Sequence, residues 1–242
     1  MDYQRPKTLE QALEGLRAGQ PLAGGTGTVP HRLRVRAVVD VQDLGMDRLE
    51  AEGDRLVIGA SARLQALVDS EAAVPQALRQ ACRHEAALNL RNMATLAGTV
   101  VGGDGRSPVL AVMLALGAEA RLEPGGERWT VEHILERRGA GMRGRLITAF
   151  ALPAVRWSAY AQVGRAPMDR PLVCAAAVRR ADGTLGLALG GFGARPLPLE
   201  GADLEQAARQ AYAGAGDAWA GAAYRAHVSG VLVRRLLAQE AG

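Results

Sequence analysis

Apolar and polar positions follow two periods along this chain, and the changes between them outline its elements. Thr8-Leu9-Glu10-Gln11 is a capping-box pattern, which predicts a helix to about Arg17 that ends at Gly19. A short strand into Ala23 leads to a glycine-rich loop. Val35 to Val41 is apolar and β-branched, the pattern of a buried strand, and Leu56 to Ile58 is another behind the Gly53-Asp54 turn. Ser61 is placed to cap a helix over Ala62 to Val68. Pro75 suits the first turn of the next helix, which is expected to reach about Leu88, with Leu78, Ala81, Cys82 and Leu88 on one face.

A second small-residue loop comes next, and then Pro108 opens an apolar helix through Leu116. Glu119 to Leu122 and Leu146 to Leu152 read as strands, the latter closed by Pro153. Beyond Pro153 the pattern changes. Tyr160 to Val163, Leu172 to Val178 and Leu185 to Leu189 are strand-like, with Asp182-Gly183 as a hairpin turn between the last two. Helical periodicity returns over about Asp203 to Tyr212 and Trp219 to Ala238. The alternation implies an α+β chain with a boundary near Pro153, an α/β part before it and a smaller α+β part after it. The expected domains are 1–155, subdivided at about residue 55 into 1–55 and 56–155, and 156–242.

Composition narrows the functional classes. The chain has 242 residues, enough for a large core, and a net charge of +4. Its basic residues are arginines apart from Lys7, and they form doublets such as Arg179-Arg180 and Arg234-Arg235 rather than stripes. Aromatic residues make up 4% of the chain, too few for base-stacking platforms, so no nucleic-acid partner is expected. The longest apolar run, Val109 to Ala118, is too short to span a bilayer, and the first residues carry no signal pattern. The expected location is cytoplasmic. Cys82 and Cys174 cannot supply the four ligands of an iron–sulfur cluster, and His31, His84, His133 and His227 lack metal-ligand spacing. No catalytic grouping of side chains is evident, so any redox chemistry falls to a bound organic cofactor.

The two loops are where such a cofactor would be held. One is Ala23-Gly24-Gly25-Thr26-Gly27-Thr28, and the other is Arg91-Asn92-Met93-Ala94-Thr95-Leu96-Ala97-Gly98-Thr99. Each joins an apolar lead-in to residues with little side chain and then a hydroxyl. Backbone N–H groups in such a setting can approach an anion closely. Gly24-Gly25 alone reads as a turn after a strand, and Ala97-Gly98 alone as a helix-to-strand connection. As a pair they suit the two phosphates of a dinucleotide.

In this order the segments resemble the FAD-binding medium subunit of the molybdenum hydroxylases, the family of the carbon monoxide dehydrogenase and xanthine dehydrogenase-like flavin subunits. Leu22 to Pro30 is similar to the family's A-G-G-T-x-x-x-P, and Arg91 to Thr95 to its R-N-x-A-T. Val112 to Ala118, Leu146-Ile147-Thr148 with Leu152-Pro153, Gly190 to Pro196, and Tyr224-Arg225 with Gly230 to Arg235 resemble later family segments. The resemblance implies a two-subdomain α/β FAD-binding domain of the PCMH/vanillyl-alcohol-oxidase type. A small domain with a three-stranded antiparallel sheet and helices should come after it. It also implies FAD as cofactor, held by Ala23, Gly24, Gly25, Thr26, Gly27, Thr28, Thr95, Ala97, Gly98 and Thr99, with Asp104, Leu146 and Gln162 as further contacts. The implied partners are a [2Fe–2S] small subunit and a molybdopterin large subunit, as a dimer of heterotrimers. Electrons would pass from the iron–sulfur subunit through FAD to an external acceptor.

Three departures from the family pattern touch the implied site. Ala97 stands where glycine is usual in T-I-G-G, Pro108 where N-A-S-P-A-x-D has aspartate, and Gln162 where Y-x-K-x-G-R-R has lysine. Asp104 is near enough to substitute for that aspartate, or the run Gly102 to Ser107 is a surface loop. On the first reading Asp104 would be a carboxylate beside the flavin ring without a compensating cation. Two functions remain open: a working flavin subunit, or a scaffold that keeps the fold and has lost the flavin.

Overall fold

The computed structural model describes residues 2–241. In chain order the strands are β1 (Asp2–Gln4), β2 (Gln20–Leu22), β3 (Ala37–Asp40), β4 (Leu49–Glu52), β5 (Arg55–Gly59), β6 (Glu119–Glu123), β7 (Glu127–Thr130), β8 (Leu146–Leu152), β9 (Val155–Val163), β10 (Val173–Arg180), β11 (Leu185–Gly190) and β12 (Leu197–Pro198). The helices are α1 (Leu9–Gly15), α2 (Leu64–Asp69), α3 (Gln76–Glu85), α4 (Leu88–Arg91), α5 (Leu96–Gly102), α6 (Pro108–Leu116), α7 (Val131–Arg137), α8 (Leu204–Ala211) and α9 (Ala222–Ala241). They form two compact units. The first comprises Met1–Ala72, Leu88–Gly102 and Ala118–Leu152; the second comprises Ala73–Ala87, Gly103–Gly117 and Pro153–Gly242. Among the described residues no helix is long and apolar enough to cross a membrane.

The first unit holds two sheets. A parallel one runs in the order β1-β3-β2, and an antiparallel one in the order β4-β5-β8-β6-β7. α1 begins as its sequence dictates. Thr8 accepts from the Gln11 N–H at 3.3 Å, and the Gln11 side chain accepts from the Lys7 N–H at 3.0 Å, so two otherwise orphaned amides are satisfied. Its buried residue Ala12 packs with Leu16, Val39, Val41 and Leu146 in one apolar cluster. The terminal strand β1 is held further by the Tyr3 hydroxyl, which donates to Asp40 at 2.5 Å.

In the second unit the antiparallel sheet runs β12-β11-β10-β9, so it has four strands rather than three, the fourth being the two-residue β12. α3 and α6 cover one face of β10 and β9, and α9 covers the other. Burial on both faces explains why Val173 to Val178 is apolar without alternation. α6 is apolar on every side and every one of its residues is buried, with Ser107 accepting from the Leu110 N–H and Gly117 closing the helix at φ 64°. Glu85 completes that cap, accepting from the Ser107 hydroxyl at 2.7 Å and the Val109 N–H at 2.9 Å. Burial raises its pKa above the ordinary carboxylate value.

Several sequence expectations shift. Ser61 caps nothing: α2 starts at Leu64, whose N–H donates to Ala94 O at 2.9 Å, so a tertiary contact sets the start. α3 ends at Glu85 because Ala86 is extended, and Leu88 belongs to a separate turn and is 52% exposed. The last helix starts at Ala222, which leaves Trp219 in the preceding loop.

Asp43 links the N-terminal segment to the rest of the first unit by accepting from Arg5 at 2.8 Å and from Lys7. Hydrogen bonds from Arg5, then from Lys7, lower its pKa from 3.8 to about 2. The ionised form is the bound one, so the stability it contributes is present above pH 3.8 and is lost as pH falls through about 2. Asp43→Asn should therefore lose less stability than the parent on acidification across that interval, read as the difference between two series of thermal melts.

Candidate functional site

The first loop leaves the parallel sheet after β2, where the Val41 N–H donates to Leu22 O at 2.9 Å. Gly24 is required by packing. A Cβ there would lie 1.8 Å from Met93 O and 3.2 Å from Ala94 Cα, so the backbone of the second loop rests directly on it. Gly25 is required by conformation, with φ 71°, in the left-handed region. Gly27 is required by neither, since nothing lies within 4 Å of a Cβ built on it. Among the described residues, the N–H groups of Gly24, Gly25, Thr26, Gly27 and Thr28 donate to no protein acceptor. This stretch presents the unbonded donors its sequence suggests.

The second loop is built differently. Arg63 and Thr95 form a β-bridge, flanked by bonds from the Leu96 N–H to Ala62 O at 2.9 Å and from the Ala97 N–H to Ala60 O at 3.0 Å. The chain then turns at once into α5. The Gly98 N–H donates to Thr95 Oγ1 at 3.2 Å, while the Thr99 N–H and hydroxyl both donate to Thr95 O at 2.9 Å. Ala97, Gly98 and Thr99 thus have their amides engaged within the protein, where the sequence suggests free donors. Helix geometry and the bridge claim them. Ala97 causes no backbone strain, because no residue other than glycine has positive φ among the described residues.

Both loops face a cleft of about 180 Å³, lined by Ala23, Gly24, Met93 and Thr95 together with Ser61 and Arg63. Gln42 and Asp47 complete its polar lining. Sequence reasoning misses the Ala60 to Arg63 segment. Ser61 has the sequence setting of a helix cap, and it is brought here by its N–H bond to Met46 O at 2.7 Å and by the neighbouring Arg63–Thr95 bridge. Its hydroxyl is buried and has no hydrogen-bond partner among the described residues. Leaving such a group unmatched costs about 1–3 kcal/mol. Arg63 donates to Asn92 O at 2.5 Å and is otherwise exposed to the cleft side, which gives the site a cation. Unbonded amides, an unmatched hydroxyl and a guanidinium are a donor set for an anionic group such as a pyrophosphate. The first loop and Ser61 therefore fit FAD, whereas the amides at Ala97 to Thr99 would have to give up internal bonds to take part.

The three outlying residues have other settings. Leu146 is 4% exposed and packs in the apolar cluster of the first unit. Asp104 lies in the second unit and is compensated: it accepts from Arg170 Nη2 at 2.5 Å and Nη1 at 3.1 Å, and from the Arg106 N–H at 2.8 Å. The expected uncompensated carboxylate is absent. Gln162, also in the second unit, accepts from the Tyr160 hydroxyl at 2.6 Å, and its amide nitrogen lies 3.2 Å from His84 Nδ1. Nearby Cys174 is fully buried, and desolvation pushes its thiol up to about 12, so it remains protonated and unreactive at neutral pH.

The glycines of the first loop make separable predictions. Gly24→Ala forces its methyl into backbone and should cost about 1–3 kcal/mol in thermal or chemical unfolding. Gly27→Ala should leave stability unchanged to within about 1 kcal/mol.

Comparison with known proteins identifies the family. The family described as the FAD binding domain in molybdopterin dehydrogenase matches residues 1–155. The uncharacterized protein YgfM of Escherichia coli K12 is 32% identical over 255 residues, covering 98% of this chain and 96% of YgfM. Reconstituted CO dehydrogenase from Oligotropha carboxidovorans superposes with a TM-score of 0.85 at 27% identity, covering 98% of this chain and 96% of that one. Quinoline 2-oxidoreductase from Pseudomonas putida 86 shares the fold, with a TM-score of 0.82 at 18% identity over 99% of this chain and 96% of that one. The chain belongs to the FAD-binding domain family of the molybdopterin dehydrogenases, the FAD subunits of molybdenum hydroxylases.

Proposed function

We propose that this chain is a working flavin subunit of a multi-subunit molybdenum hydroxylase. A [2Fe–2S] subunit would supply electrons to it, a molybdopterin subunit would oxidise the substrate, and an external acceptor would take the electrons away. Two copies of such a heterotrimer related by a two-fold axis are the simplest closed arrangement. FAD, when bound, accepts and releases the electron pair. The chain's own residues bind and orient it. The amides of Gly24 to Thr28 would hold the pyrophosphate, the Ser61 hydroxyl would find its missing partner there, and Arg63 would offset the charge. The observation that carries this reading is the set of unbonded donors on the first loop beside the unpartnered Ser61 hydroxyl.

The scaffold alternative rests on a different observation, the internal engagement of the amides at Ala97, Gly98 and Thr99. The visible absorbance of the protein as purified separates the two. A working subunit carries about one flavin per chain, and that flavin is reduced when substrate is given to the holoenzyme. A scaffold stays colourless even after incubation with FAD.

Ser61→Ala isolates the binding claim. Without FAD the variant should be as stable as the parent or more so, because an unmatched buried hydroxyl is gone. Its affinity for FAD should fall about tenfold, corresponding to ~1.4 kcal/mol, in a titration of the stripped protein. Arg63→Gln should also weaken FAD binding, with a deficit that grows as salt is lowered, where the lost charge matters most.

A further inference from the structure

Trp219 is 48% exposed and sits in the loop ahead of α9, yet that loop is held firmly. Arg225 is fully buried beneath it and donates to Ala215 O at 2.8 Å, Ala220 O at 3.0 Å and Leu172 O at 3.0 Å. It also makes a bidentate pair with Asp217 at 2.9 and 3.0 Å. Asp217 in turn accepts from the Trp219 and Ala220 N–H groups at 2.8 and 3.1 Å. The exposed indole is thus presented by a rigid loop, and little ordering is left for a partner to impose.

Two guanidiniums lie over the indole ring, Arg165 at 4.3 Å and Arg106 at 5.1 Å from its centroid. The acids nearby are already committed: Asp104 to Arg170, Asp217 to Arg225, and Asp169 to Arg165 at 3.4 Å. The Arg106 guanidinium donates to carbonyl oxygens, Pro171 O at 3.2 Å and Arg170 O at 3.3 Å, and forms no ion pair with a carboxylate among the described residues. Burial chiefly, then Arg170 and Arg225, lowers its pKa, while Asp217 and Asp104 act the other way. Tryptophan and arginine are also among the residue types enriched at the hot spots of protein interfaces.

We propose that the face formed by Trp219, Arg106 and Arg165 is a docking surface for an acidic segment of a partner polypeptide. The partner places a carboxylate against Arg106 and apolar surface against the part of the indole that the guanidiniums leave exposed. A nucleic acid suits the face less well, because the guanidiniums already lie over the ring that a base would stack on. The inference rests on the chain being a subunit of an assembly, and flavin content is read separately so that the two claims fail separately.

The assembly is purified from its source with the full chain in place, and its tryptophans are oxidised under limiting reagent. Peptide mapping distinguishes Trp219 from Trp129 and Trp157. Trp219 should react at least fivefold more slowly in the assembly than in the isolated chain. A photo-crosslinker at the exposed Ala218 should capture a peptide of a different polypeptide rich in aspartate and glutamate. The Arg106→Gln, Arg165→Gln double variant should lose at least tenfold of the co-purifying partner with flavin per chain unchanged. Trp219→Phe should lose less than Trp219→Ala, which keeps the test independent of folding. Equal reactivity of Trp219 in both states, a cross-link to a second copy of this chain, a cross-link to nucleic acid, or purification as a lone chain would each overturn the proposal.

Discussion

The first unit is organised around one close approach. The backbone at Met93 and Ala94 presses on Gly24 at a distance no Cβ would allow. That contact fixes the first loop against a segment that is itself fixed, because residues 94 to 97 bond to residues 60 to 64 across the Arg63–Thr95 bridge. Three stretches far apart in the chain meet there, and the cleft is the space they leave. A glycine that reads as room for a phosphate is in fact room for another piece of backbone. The left-handed turn at Gly25, one step further along, carries the chain away from that contact.

This division of roles explains why the two loops differ despite similar sequences. The first loop emerges from a parallel strand and has no neighbour to pair with, so its donors stay available. The second enters a helix, and helix formation turns its small residues inward on Thr95. Small size permits both outcomes. The acceptors that precede an amide, or face it across a bridge, decide whether it stays free: here Thr95 takes Gly98 and Thr99, and Ala60 takes Ala97.

Much of the architecture is legible in the sequence because it rests on local signals. The Thr8 cap, the Pro108 start, the Gly117 stop and the strand Leu146–Leu152 are written in adjacent residues. β4 and β7 escape such a reading, since Leu49–Glu52 and Glu127–Thr130 are short, polar edge strands that gain their form from a neighbour. The place of Ser61 in the cleft, and of Asp104 in an ion pair with Arg170, depends on contacts between residues tens of positions apart. Such contacts leave no periodic trace. Leu146 looks like a site residue by motif and is a core residue by burial.

The layered second unit has a consequence for how the protein is made. α6 is buried on all sides, and the strands it covers end at Gly190, 74 residues after Leu116 (190 minus 116). At a synthesis rate of about 5–20 residues per second, roughly 4–15 s pass between completion of the helix and arrival of its sheet. For that interval a wholly apolar helix has α3, made before it, as a neighbour but lacks its sheet. The faces that the sheet will cover must stay shielded until it arrives. The protein's most secure helix when folded is its greatest liability while it is being built.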